Sequence, residues 1–258
     1  FVANGNNQKK LGRILVISDA AHSLGGIYKS KIVGSLCDIT ILSFHSVKNI
    51  TTGEGGAVCL NLPSVFDFNE EYKSMKILSL NGQSKSAFQK LKPGKWRYDI
   101  IAQGLKVNMP DICAAIGLAQ IKIYNRILLP ERRNIFNSYN KFFDKFDWAI
   151  TPKVKNDDIE SSYHLYMLRI KDFNENQRDE MIQIISKNGI SVNVHYIPMP
   201  SLTLFKKIGY DINNYPVTYS LYKNEITLPV YNNLSLKSVS LVCLEVEKAY
   251  KEVLLKKL

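Results

Sequence analysis

Three short apolar runs constrain the fold of this chain more than any other feature. Arg13-Ile-Leu-Val-Ile-Ser18 stops at Asp19, and Cys37-Asp-Ile-Thr-Ile-Leu-Ser-Phe44 stops at His45. The third, Gly56-Ala-Val-Cys-Leu60, follows a glycine-rich turn. Short runs rich in β-branched residues and lacking polar alternation indicate strands covered on both faces, as in the parallel sheet of an α/β protein. Ligands of such sheets gather beyond the carboxyl ends of the strands. Asp19, His45 and Lys48 all fall at such ends.

Helices are expected around these strands. Residues 65–79 are amphipathic, Asp111 signals a helix start running to about Tyr124, and Pro130 opens another reaching about Phe146. Residues 81–107, rich in Gly, Lys and polar side chains, read as a long functional loop. Composition shifts near residue 147. A strand is expected over His164–Ile170, a helix over Gln177–Lys187 closed by Asn188-Gly189, an extended stretch over Ile190–Tyr196 and a long helix over Ser235–Leu255. The expected organisation is residues 1–129 as part of a large α/β domain and residues 130–258 as a smaller α+β domain.

Composition narrows the function classes. The net charge of +11 comes from 34 basic and 23 acidic side chains, but the excess is spread along the whole chain without a basic block or stripe. That argues against a nucleic-acid partner. No apolar run approaches the roughly 18–20 residues of a membrane span. Cys37, Cys59, Cys113 and Cys243 are widely separated, with no C-x-x-C pair. Neither a metal site nor a disulfide framework is expected, and Cys37, Cys59 and Cys113 are expected to be buried thiols of a cytoplasmic protein.

A lysine just past a buried strand is placed for covalent chemistry. Partial burial frees its amine to attack a carbonyl, and Lys48 precedes Asn49-Ile-Thr-Thr-Gly-Glu-Gly-Gly56. Pyridoxal phosphate needs such a lysine for its aldehyde and an acid for its ring nitrogen. Asp19, followed by the small residues Ala20 and Ala21, is a candidate for that acid.

The segments Asp19-Ala-Ala-His-Ser-Leu-Gly25, Ser43-Phe-His-x-x-Lys48 and Thr52-Gly-Glu-Gly-Gly56 resemble the DegT-type sugar-nucleotide aminotransferases. Gly104-Leu-Lys-Val-Asn-Met-Pro-Asp-Ile-Cys-Ala-Ala-Ile-Gly117, His164-Leu-Tyr166, Val194-His-Tyr-Ile-Pro198 and Glu225-Ile-Thr-Leu-Pro229 recur there in the same order. The resemblance implies a fold-type-I, pyridoxal-phosphate-dependent transferase with a mostly parallel central sheet in its large domain. Lys48 would hold the cofactor aldehyde and shuttle the proton, and Asp19 would pair with the ring nitrogen. His22 would lie against the ring, Ser43 would donate to the phosphate, and Asn108 would reach the phosphate of a neighbouring subunit in a homodimer. His195 would contact a nucleotide-linked keto-sugar that receives an amino group from an amino acid such as glutamate, for surface glycan synthesis. The resemblance also implies that the first strands and helices of the large domain precede Phe1 in a longer protein. A pyridoxal-dependent sugar dehydratase and a non-catalytic sensor share the fold, but the dehydratases characteristically carry His where this chain has Lys48.

Overall fold

The computed structural model describes residues 1–85 and 87–256, and the chain divides into two compact units, Phe1–Tyr124 and Asn125–Leu258. In the first unit, strand β1 (Ile17–Asp19) lies parallel to β2 (Ile39–Ser43), which is antiparallel to β3 (Gly56–Leu60). Asp38 pins the start of this sheet. Its carboxylate accepts from both terminal nitrogens of Arg13, one at 2.6 Å, and from the Val16 amide at 2.9 Å. The paired guanidinium holds the Asp38 pKa down to about 2.

The expectation that these strands are covered on both faces is not met within the chain. Thr40 and Leu42 of β2 are buried, but Ile17 is 58% exposed and Val58 49% exposed. Side chains alternate across a sheet, and no described helix of this unit packs broadly on the three strands. The cysteine expectation is corrected for the same reason: Cys37, Cys59 and Cys113 are half-buried, and Cys243 is the buried thiol. Two longer helices follow, α1 (Phe68–Leu78) and α2 (Asp111–Ile123). The Asp67 side chain caps α1 by accepting from the Asn69 and Glu70 amides.

The second unit is a layer of helices on an antiparallel sheet. Helix α3 (Leu129–Phe143) precedes β4 (Ala149–Ile150), β5 (Tyr166–Ile170), α4 (Glu175–Lys187), β6 (Glu225–Leu228) and α5 (Leu236–Leu255). The strand order is β4-β5-β6. Tyr166, Leu168 and Ile170 of β5 and Ile226 and Leu228 of β6 bury one sheet face together with Tyr139, Phe143, Val246 and Ala249 from α3 and α5. Aromatic rings dominate this core: Tyr139 and Tyr166 lie 4.7 Å apart by centroid, and Trp148 stacks on Tyr250 at 4.1 Å.

Strand β5 begins at Tyr166 and not at His164, where the apolar pattern starts. The carbonyls of Tyr163 and His164 are taken by the buried Arg132 guanidinium, each at 2.8 Å, which withdraws them from the sheet. Helix α4 opens with a reciprocal capping box between Asn174 and Gln177, and α5 opens on the Ser235 side chain. The helical run Asp111–Phe143 is long and apolar enough by composition to cross a bilayer, which the apolar-run reading did not anticipate. Only 11% of its apolar window is buried, whereas Arg132, Tyr139 and Phe143 at its other end are buried in the second unit.

Candidate active site

The first unit presents its chemistry at one edge of the sheet. Asp19 ends β1 and Ser43 ends β2. Parallel pairing sets Asp19 opposite Ile41, two residues before Ser43. The Asp19 carboxylate and the Ser43 hydroxyl therefore leave the same face, offset by roughly 7 Å along the strand direction. Asp19 is exposed, with Oδ1 accepting from the Ala21 amide at 3.1 Å. The Ser43 Oγ accepts from the His45 amide at 3.3 Å, so its proton remains available to an acceptor. His22 is half-buried in the tight turns that follow Asp19, where Ser23 N donates to Ala20 O and Gly26 N to Ser23 O, both at 2.9 Å.

Lys48 lies in the loop between β2 and β3. Phe44 closes that loop at its base, donating to the Gly55 carbonyl at 2.8 Å and accepting from the Thr52 amide at 2.9 Å. His45 shapes its tip: its carbonyl accepts from the Lys48 amide at 3.0 Å and its Nδ1 from the Val47 amide at 3.4 Å. Lys48 itself is half-buried, between a mostly solvated tip and the buried Asn49 and Ile50.

Helix α2 and the residue that ends it brace the loop through side chains that sequence reasoning did not single out. Gln120 pairs with the Thr51 backbone, accepting from its amide at 3.0 Å and donating to its carbonyl at 2.6 Å. The buried Tyr124 accepts from Asn49 Nδ2 at 3.2 Å and donates to the Leu24 carbonyl at 2.6 Å. That links the lysine loop to the turn carrying His22. Gly117 lets the helix approach Thr52 closely. Residues 117, 120 and 124 share one helix face, and this spacing was the available signal.

Asn108 is exposed, its amide oxygen accepting from Lys106 Nζ at 2.6 Å. His195 belongs to the second unit, where Nδ1 lies 2.9 Å from Thr227 Oγ1 and the backbone amide donates to Glu225 Oε2 at 3.0 Å. Asp19, Ser43 and Lys48 thus share one sheet edge. The donor set suits pyridoxal phosphate: an open carboxylate for a ring nitrogen, a hydroxyl with a proton to give, and an amine on the loop that follows β2.

Comparison with known proteins identifies the family. The model of the DegT/DnrJ/EryC1/StrS aminotransferase family matches residues 9–247. The chain belongs to that family. Among curated relatives, the spore coat polysaccharide biosynthesis protein SpsC of Bacillus subtilis is 34% identical over 226 residues, covering 86% of this chain and 56% of SpsC. The UDP-4-amino-4,6-dideoxy-N-acetyl-beta-L-altrosamine transaminase of Campylobacter jejuni is 34% identical over 237 residues, covering 92% of this chain and 59% of the transaminase. Among solved structures, the PMP-form of the sugar aminotransferase homologue Spr1654 of Streptococcus pneumoniae superposes with a TM-score of 0.91 at 40% identity, covering 98% of this chain and 63% of that one. A PLP-form of the same protein matches equally well, with a TM-score of 0.90. The fold is therefore the fold-type-I α/β arrangement. The chain spans somewhat more than half the length of the curated relatives it matches.

Proposed function

We propose that the complete protein is a pyridoxal-phosphate-dependent aminotransferase that moves an amino group from an amino acid, glutamate being the expected donor, to a nucleotide-linked keto-sugar in the cytoplasm. Its product would enter surface glycan synthesis. The observation that carries this reading is the shared sheet edge of Asp19, Ser43 and Lys48, in a chain that the family model matches from residue 9 to residue 247. The names of SpsC and of the Campylobacter transaminase support the sugar-nucleotide and polysaccharide setting.

The roles are those that the family resemblance implies. When bound, the cofactor supplies the electron sink that makes the substrate α-carbon acidic. Lys48 Nζ would be the amine that holds the aldehyde and then carries the proton released at that carbon. Asp19 would keep the ring nitrogen protonated, and Ser43 Oγ would donate to the phosphate. His22, in the turn after β1, would lie against the ring. Asn108 would serve the phosphate site of a neighbouring subunit, which makes a homodimer the working form, and His195 would contact the sugar nucleotide.

Reduction with borohydride and peptide mapping test the assignment. A pyridoxyl adduct is expected on Lys48 of the cofactor-loaded, full-length protein, and it should disappear in Lys48→Ala. An adduct on a different lysine overturns it. Glutamate should convert the bound cofactor to its amine form in a single half-reaction, which a non-catalytic sensor would not do.

A further inference from the structure

The stretch between α1 and α2 forms a braced arm. Its stem pairs as a ribbon: Gln83 bridges Ile100, the Ser84 amide donates to the Asp99 carbonyl at 2.9 Å, and the Asp99 amide donates to Ser84 Oγ at 3.0 Å. Gly82 seats the base, because a Cβ there would collide with the Ala102 carbonyl. Lys85 Nζ ties the two limbs together by donating to the Arg97 carbonyl at 2.7 Å. The tip holds a short helix, Ala87–Leu91, and a turn in which the Lys95 amide donates to the Lys92 carbonyl at 2.9 Å.

Two features set this tip apart. The first is charge. The positive excess is spread along the chain, yet residues 85–97 hold Lys85, Lys90, Lys92, Lys95 and Arg97 with no acidic residue among them. The second is the apolar surface standing among these cations: Leu91 is 81% exposed, Trp96 67% and Tyr98 52%. Lys90 Nζ donates to Gln83 Oε1 at 2.8 Å and lies 4.4 Å over the Tyr98 ring, and the Arg97 guanidinium lies 5.2 Å over the Trp96 ring. One face of each ring is thereby taken by a cation of the arm itself. Stacked nucleobases compete for those faces, and a nucleic acid has no use for the exposed Leu91. A bilayer interface accepts all of these groups together, rings and leucine at headgroup depth and cations beside anionic headgroups.

We propose that this arm is a peripheral contact with an anionic lipid surface, in which the cations meet the headgroups and Leu91, Trp96 and Tyr98 enter the headgroup–acyl boundary without crossing the bilayer. Stable attachment of this kind takes two signals acting together, charge and apolar insertion. Each cation near such a surface strengthens binding about fivefold. The inference stands apart from the aminotransferase reading, since none of these residues is assigned to the cofactor or the sugar nucleotide.

Sedimentation of the cofactor-loaded, full-length protein with vesicles of phosphatidylcholine, alone or mixed with phosphatidylglycerol, tests this. Binding is expected to the mixed vesicles only, and it should weaken steeply as salt is added. Lys95→Gln combined with Arg97→Gln should weaken it about 25-fold, the share of two cations. Trp96→Ala should weaken it about tenfold, the value of half-burying a large side chain, and Trp96→Phe should restore most of it. These three residues are exposed, so the circular dichroism spectrum and the yield of the Lys48 adduct should match the parent in every variant. Failure to bind the mixed vesicles at low salt overturns the proposal, as does undiminished binding by the Lys95→Gln, Arg97→Gln protein. So does a single-stranded oligonucleotide that binds more tightly than the vesicles with the same dependence on Lys95, Trp96 and Arg97. Absence of the Lys48 adduct from the parent would sink the aminotransferase reading and leave the lipid contact standing.

Discussion

Replacing Gly117 with alanine should weaken this protein, although the same change in most helices strengthens it. Gly117 lies in the middle of α2, where alanine is ordinarily worth about 1 kcal/mol more than glycine. Here an added Cβ would stand 2.8 Å from Cγ2 of Thr52. Thr52 is 2% exposed, its hydroxyl donates to the Glu54 carbonyl at 2.8 Å, and its amide donates to Phe44 at 2.9 Å. A β-branched side chain so held cannot swing its methyl aside, so the helix or the lysine loop must retreat. Overpacking of this kind costs about 1–3 kcal/mol. Set against the propensity gain, the net loss for Gly117→Ala is about 1 kcal/mol. Thr52→Ser removes the offending methyl and keeps the hydroxyl, at about 1 kcal/mol for the lost burial. In that background Gly117→Ala should turn stabilising by about 1 kcal/mol, which makes the coupling energy about 2 kcal/mol. Urea unfolding of the four proteins followed by circular dichroism measures the cycle. The yield of borohydride-trapped Lys48 reports whether the loop has moved, and it should fall in Gly117→Ala and recover in the double variant. Gly117→Ala that stabilises equally in both backgrounds would refute the close helix–loop contact.

The remaining expectations concern the two ends of the architecture. Arg132→Met should destabilise the second unit by about 2–4 kcal/mol, because the carbonyls of Tyr163 and His164 lose their buried donor; a loss below 1 kcal/mol in urea melts would show that water replaces the guanidinium freely. Asp38 has its pKa depressed from 3.8 to about 2, so its stabilisation is complete above pH 3.8 and drains away as the pH falls towards 2. With Arg13 half exposed to screening solvent, the effect is about 1 kcal/mol. Asp38→Asn should flatten that part of the acid limb, and an unchanged limb between pH 4 and pH 2 counts against the pairing.

How far the sequence could be read depended on what each residue's environment was made of. Asp19 was placed at a strand end because an apolar run breaks where its chain leaves the sheet, and it does end β1, whereas the second run was read through Phe44 and β2 ends one residue earlier, at Ser43. The burial of those strands was misjudged because a run of Ile and Val states that a face wants covering without stating what covers it. Ile17 and Val58 remain exposed for that reason. Gln120 and Tyr124 were missed for a different one. Each is a common polar residue on a helix, and its importance lies in backbone groups 69 to 100 positions away, Thr51 and Leu24, which no local pattern reveals. Arg132 shows the same limit at its sharpest. Strand β5 begins two residues later than the apolar pattern does, so one buried guanidinium overrides the strand preference of His164 and Leu165. The contacts of Glu225 and Thr227 with His195 lie between these cases. Glu225 and Thr227 are two apart on one strand, which a period-two reading places on one face, but only the pairing of Asn193 with Thr227 brings His195 beside them. Residues that act through side chains on their own strand are therefore readable in advance. Those that act through another segment's backbone become visible only once the chain is folded.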